Sequence, residues 1–142
     1  MSWRFAHAPL RIAATAALLS LTACVMYEPL AGVPKPFIES YPSGSQKRSI
    51  LDLQATFAKR APDYHELYEQ ALREDQDIGG EIVLALALTP DGRVAGCQVL
   101  RSAMPSTQLE AWVLALTGQL EFGAVPGEGY YVFHYPLQFS RT

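Results

Sequence analysis

The chain has 142 residues, 49% hydrophobic and 18% charged, which suits one globular domain and excludes both disorder throughout and a large two-domain enzyme. Its formal charge of -3 offers no basic surplus to neutralise a phosphate backbone, so nucleic acid is excluded as a default partner.

Residues 1 to 24 carry Arg4 and Arg11, no acidic side chain, and an apolar run from Ile12 to Leu21. That run is too short for a bilayer core, which needs about 20 apolar residues. A positive start, about ten apolar residues and then small ones is the layout of a secretory signal peptide. The small residues read Leu21-Thr22-Ala23-Cys24, which resembles a bacterial lipobox. The resemblance implies a signal peptide over 1–23, cleavage before Cys24, a diacylglycerol on its thiol and acylation of the new N-terminus. Each buried methylene contributes about 0.8 kcal/mol, so several acyl chains hold the protein to its membrane essentially permanently. Loss of Arg4 and Arg11 leaves 9 basic against 14 acidic side chains, a formal -5 that does not favour anionic lipid. Val25 stands where lipoproteins of the inner membrane often carry Asp. By that analogy the chain is expected on the outer membrane of a bacterial envelope, facing the periplasm. Once Cys24 is acylated only Cys97 remains, so no intrachain disulfide is possible.

Residues 24–48 hold Pro29, Pro34, Pro36 and Pro42 with Gly32 and Gly44. Prolines block both helix and ladder formation, which predicts an extended tether of roughly 80 Å at most. Its aromatics Tyr27, Phe37 and Tyr41 either dock on the domain or stay exposed.

The domain is expected over 49–142. A first helix is predicted from Ser49, with Asp52 as a capping-box variant, to about Arg60. A second follows with Asp63 as its cap, and Tyr64, Leu67, Tyr68, Ala71 and Leu72 form one apolar stripe. Gly79-Gly80 then opens a strand over 81–89 in which Ile82, Leu84, Leu86 and Leu88 share a face. Pro90-Asp91-Gly92 predicts a hairpin turn into a second strand over 93–101. Val94 is out of phase with Cys97 and Val99, which predicts a β-bulge near Ala95-Gly96 that turns Cys97 inward. A third helix is expected with a Thr107 to Glu110 capping box and the stripe Leu109, Trp112, Val113, Leu116 and Leu120. The last strand covers 130–139, and Pro136 makes it an edge because proline cannot donate to a ladder.

The ordered set Gly80, Ile82-Leu84-Leu86-Leu88, Pro90-Asp91-Gly92-Arg93-Val94, Val99 to Ser102, Leu109, Phe122 and Tyr135-Pro136-Leu137 with Phe139 resembles the C-terminal domain of the TonB family, close to its AgmX/PglI-type members. It covers about 75 residues. The chain departs from the family pattern at Ala103 and Leu120-Glu121, and it has a lipid signal and short tether in place of a transmembrane helix and long spacer. The expected fold is α+β and two-layered: a three-stranded antiparallel sheet packed by two helices, preceded by an extra helix and the Pro-rich tether.

Catalysis needs a nucleophile, a base and a frame for both. His65 and Glu69 share a helix face with no third metal ligand in sight, and strand phases oppose a dyad of Cys97 with His134. No phosphate loop, serine elbow or zinc spacing occurs, so neither an enzyme nor a cofactor or metal is expected. An edge strand instead offers N–H and C=O groups to an extended peptide, the mode the family resemblance also implies. Tyr130, Val132, His134 and Gln138 are the candidate partner-binding residues, and Cys24 is the lipidation site. The expected function is a lipid-anchored module docking an envelope protein or peptide segment by strand addition, without energy coupling of its own. The alternative is a structural lipoprotein, self-associating as a homodimer or bracing the envelope without a peptide groove.

Overall fold

The computed structural model describes residues 33–104 and 106–141. The signal peptide, Cys24 and Tyr27 lie outside the described residues. Among the described residues four helices, α1 (Lys35–Ser40), α2 (Ile50–Lys59), α3 (Ala61–Glu74) and α4 (Thr107–Thr117), accompany three strands, β1 (Gly80–Leu88), β2 (Val94–Ser102) and β3 (Tyr131–Phe139). The fold is α+β with an open antiparallel sheet in the order β2-β1-β3. β2 and β3 both run against β1 and therefore parallel to each other. Their connection must cross β1, and α4 makes that crossing. Among the described residues no helix is long and apolar enough to cross a membrane.

One face of the sheet carries the main core. Ile82, Leu84, Leu86 and Leu88 of β1 are fully buried with Phe133, Leu137 and Phe139 of β3. Leu53 and Phe57 of α2, Tyr64, Tyr68 and Ala71 of α3, and Leu109 and Val113 of α4 cover them. Each such side chain contributes about 1.5–3 kcal/mol on burial, so this face supplies most of the folding drive. The ring of Phe57 stacks on Tyr135 at 3.8 Å, fixing α2 over β3.

The predicted bulge is present. Ala87 pairs with Gly96 and Leu88 with Val94, leaving Ala95 unmatched, so Cys97 comes opposite Leu86 and packs against the core. A second slip, between Val83/Leu84, leaves Leu100 unmatched and sends it to the opposite face. That one the residue phases did not announce. The Pro90-Asp91-Gly92 turn forms as expected: Gly92 has φ of +92°, and a Cβ there would stand 2.4 Å from the Gly123 carbonyl oxygen.

The N-terminal caps of three helices differ from expectation. The Ser49 side chain makes no cap bond, so no box with Asp52 forms. α3 begins at Ala61, because Pro62 sits in the first turn, where its missing N–H has no partner to lose; Asp63 pairs with Arg60 instead of capping. Ser106, one residue before the expected Thr107, caps α4 by accepting from the Leu109 N–H at 3.2 Å.

The largest departure lies in the proline-rich stretch. Residues 35–40 are helical, with Pro34 at the cap and proline again in the first turn. α1 and the residues around it cover the second face of the sheet: Val33 and Phe37 are buried with Ala85, Ala87 and Val132. A short third layer therefore joins the expected two, and the second half of the stretch read as an extended tether is packed structure.

Two buried tyrosines test how polar groups sit in this core. The Tyr64 hydroxyl bonds Thr117 Oγ1 at 2.8 Å, whereas the Tyr135 hydroxyl finds no hydrogen-bond partner among the described residues. Removing an unpartnered buried hydroxyl is neutral or stabilising, and removing a paired one costs about 1 kcal/mol. Tyr135→Phe is expected to hold or raise the midpoint of chemical denaturation and Tyr64→Phe to lower it. Equal losses from both would contradict this account.

Candidate partner-binding edge

β3 is an outer strand, and its geometry follows from one pair of hydrogen bonds. The Tyr130 N–H donates to the Pro42 carbonyl at 3.2 Å, and the Tyr130 carbonyl accepts from the Gly44 N–H at 3.1 Å. Both groups point away from β1. By the period of two, Val132, His134, Pro136 and Gln138 aim their backbone groups the same way, while Tyr131 through Phe139 at odd positions pair with β1. Pro136 thus stands where its missing N–H removes no ladder bond, which is why proline is tolerated inside this strand.

The four sequence-predicted residues fare differently. Tyr130 is half-buried, meets Tyr41 edge-on at 5.3 Å and already spends its outward backbone groups on Pro42 and Gly44. Val132 is 2% exposed beneath the α1 layer. His134 and Gln138 are half-buried, opposite Ala85 and Glu81 of β1. Beyond Gln138 the edge runs into a shallow concavity of about 360 Å³ between Asp77, Gly80 and Arg141.

The residues that close the edge at Tyr130 were not singled out by sequence reasoning. Ser43 makes a parallel bridge to Tyr130, and the Ser45 N–H donates to the Glu128 carbonyl at 2.8 Å. Gln46 is buried, its amide donating to the carbonyls of Leu88 at 3.0 Å and Gly129 at 2.6 Å. Arg48 donates to the carbonyls of Thr89 at 2.8 Å and Gly123 at 2.9 Å and to Gln46 Oε1 at 3.0 Å. Two side chains thereby bind the segment to the hairpin tip and to the loop after α4. The signal for this was the glycines: a Cβ on Gly44 would lie 1.7 Å from the Glu128 carbonyl oxygen, and one on Gly96 would lie 2.3 Å from the Tyr41 ring. Both positions are bare so that another part of the chain can lie on them.

Of the residues weighed for chemistry, His65 and Glu69 form an i, i+4 pair at 3.0 Å on α3. Among the described residues no group of three or more His, Cys, Asp or Glu is placed to hold a metal ion. Cys97 packs on the main-core face, and His134 belongs to the opposite phase of β3, so the sheet separates them.

Burial raises the Cys97 thiol from its ordinary 9.0 to about 12. Burial likewise raises Tyr135 from 10.0 to about 12. In the unfolded chain both groups lose protons at their ordinary values, while the folded chain retains them. Stability is therefore expected to be unaffected by these groups below pH 9 and to fall as pH rises from 9 to 12. Denaturation midpoints measured across that range check the sign. At pH 8 a thiol reagent is expected to label half-buried Cys97 more slowly in the native chain than after denaturant is added; equal rates would contradict its packing against the core. Comparison of the chain with protein-family models, with curated proteins and with solved structures returns no match.

Proposed function

We propose that this chain is a lipid-anchored, periplasm-facing protein-binding module of a bacterial envelope, which docks a partner by adding an extended segment to the outer edge of β3. The observation that carries the reading is that this edge already takes an added backbone, the parallel bridge of Ser43 to Tyr130. The backbone repeat that holds Pro42 to Ser45 at Tyr130 continues along the strand to Gln138. The likeness to TonB C-terminal domains belongs to this proposal: an α+β fold with a three-stranded antiparallel sheet and helices is compatible with it. On that reading the module supplies attachment and recognition, with no energy coupling of its own.

A second reading has its own observation. The chain covers the second face of its sheet and pairs with its own edge at Tyr130. A structural lipoprotein that braces the envelope or self-associates would be built with such closure.

Photo-crosslinkers at His134 and Gln138 in cells, with Glu66, exposed on α3, as internal control, separate the two. Crosslinks to a distinct envelope protein from His134 and Gln138, absent at Glu66, are expected. Crosslinks only between copies of the chain would leave the structural reading. The anchor has a separate check: Cys24→Ala is expected to move the protein from the membrane to the soluble fraction. Retention of the variant on the membrane would sink acyl attachment.

A further inference from the structure

We propose that residues 33–48 are a displaceable strap, which closes the β3 edge at Tyr130 and is exchanged for the incoming partner strand. The identity of that strand rests on the docking reading; the strap itself rests on the contacts above.

The attachment is real but local. Three backbone bonds join the strap to the edge: Gly44 to Tyr130, Tyr130 to Pro42, and Ser45 to Glu128. The bridge is isolated and parallel, and parallel pairing is the weaker ladder per residue. Pro42, Ser43, Gly44 and Ser45 are all exposed, so water reaches the bonds and competes for them. Against this stands β1, where Ala85 pairs with Gln98 and His134 and Leu86 with Cys97 and Phe133, with both β1 side chains fully buried. Opening β1 requires the core to open. Opening the strap requires loss of its backbone ties, of the Gln46 and Arg48 bonds, and of the Val33, Phe37, Ile38 and Tyr41 contacts, with the main core left closed.

Release has two consequences at once. It returns the outward groups of Tyr130 to the edge and bares Ala85, Ala87 and Val132, giving an added strand both backbone partners and an apolar floor. It also lengthens the anchor. With the strap docked, the span from Cys24 to Val33 cannot exceed about 30 Å; with the strap free, the span from Cys24 to Ser49 reaches about 80 Å. Capture of a partner and distance from the membrane are thereby coupled through one segment.

Amide hydrogen exchange on the full chain in detergent, read residue by residue, tests this. Gly44, Ser45 and Tyr130 are expected to exchange at least ~100-fold faster than Ala85 and Leu86, as local opening requires. Gln46→Ala, which removes the bonds to Leu88 and Gly129, is expected to speed those three amides by about tenfold and leave Ala85 and Leu86 unchanged. Gly44→Ala is expected to strip protection from residue 44, Ser45 and Tyr130 together and to leave Ala85 and Leu86 unchanged, since its Cβ meets the Glu128 carbonyl oxygen that accepts from the Ser45 N–H. A common exchange rate for all five amides, or Ala85 and Leu86 accelerating with Tyr130 in Gln46→Ala, overturns the proposal. The measurement needs no partner. Crosslinks confined to copies of the chain would remove the docking reading and leave the strap standing, and a uniform exchange rate beside Gln138 crosslinks would do the reverse.

Discussion

A three-stranded sheet with β1 at its centre has two faces, and β1 is apolar on both. Ile82, Leu84, Leu86 and Leu88 point one way, Val83, Ala85 and Ala87 the other, and all seven are buried. Helices α2, α3 and α4 lie on the first set. The second set must also leave water, and the elements after β1 are already committed to the first face or to the sheet itself. The cover comes from the residues that precede the domain, through Val33, Phe37 and the partly buried Ile38 and Tyr41. The need to cover the second face of β1 explains why a proline-rich stretch folds at all.

The way that cover is seated shows why side-chain size matters more here than side-chain chemistry. Ala85 and Ala87 are small enough to let the Phe37 layer approach, and Gly96 leaves a bare patch of β2 on which the Tyr41 ring lies, with its hydroxyl donating to the Ala95 carbonyl at 3.3 Å. Gly127 and Gly129 have φ of +120° and +77°, and a Cβ on either would stand 2.7 Å or less from the backbone of Gln46 or Gly44. Glycine is needed there twice over, for the backbone angle and for the close approach. Arg48 then finishes the seam by donating to carbonyls from two different loops, a task that suits a planar group with five donors.

The same features mark the boundary of what the amino-acid sequence makes legible. The stripe on α3, the alternation in β1, the turn at Pro90-Asp91-Gly92 and the bulge that turns Cys97 inward follow from local periodicity, and each appears where the periodicity puts it. The second bulge at Leu100 and the α1 layer do not, because they are fixed by contacts between residues far apart in the chain. Read locally, the prolines of this stretch break helix and ladder, although proline in a first helical turn costs nothing. A better clue was present in the run from Ile82 to Leu88. A strand with one wet face alternates, whereas this one is apolar at every position, the pattern of a strand covered on both sides. The candidate edge was legible in Pro136; its partial closure by Pro42 to Ser45 was not, since nothing local to Tyr130 announces a distant strand.

Among the described residues, the segments that clasp the edges of the sheet gather at one end. At the hairpin end, Pro42 to Ser45 pair with Tyr130 beside β3, and Glu121 bridges Arg93 beside β2, with the Phe122 N–H donating to the Gly92 carbonyl at 2.9 Å. Both flanks are therefore clasped at one end, by two segments that Arg48 bonds together. At the other end, where β1 begins and β3 finishes, the edge leads from Gln138 into the concavity beside Arg141. An added strand on the proposed reading would pair first near Gln138 and meet the strap last. Pairing that advances one residue at a time replaces the Tyr130 bonds only after most of its own have formed, so the strap would set the end point of docking rather than its start. A short segment would bind without disturbing the anchor, and only one long enough to reach Tyr130 would free it.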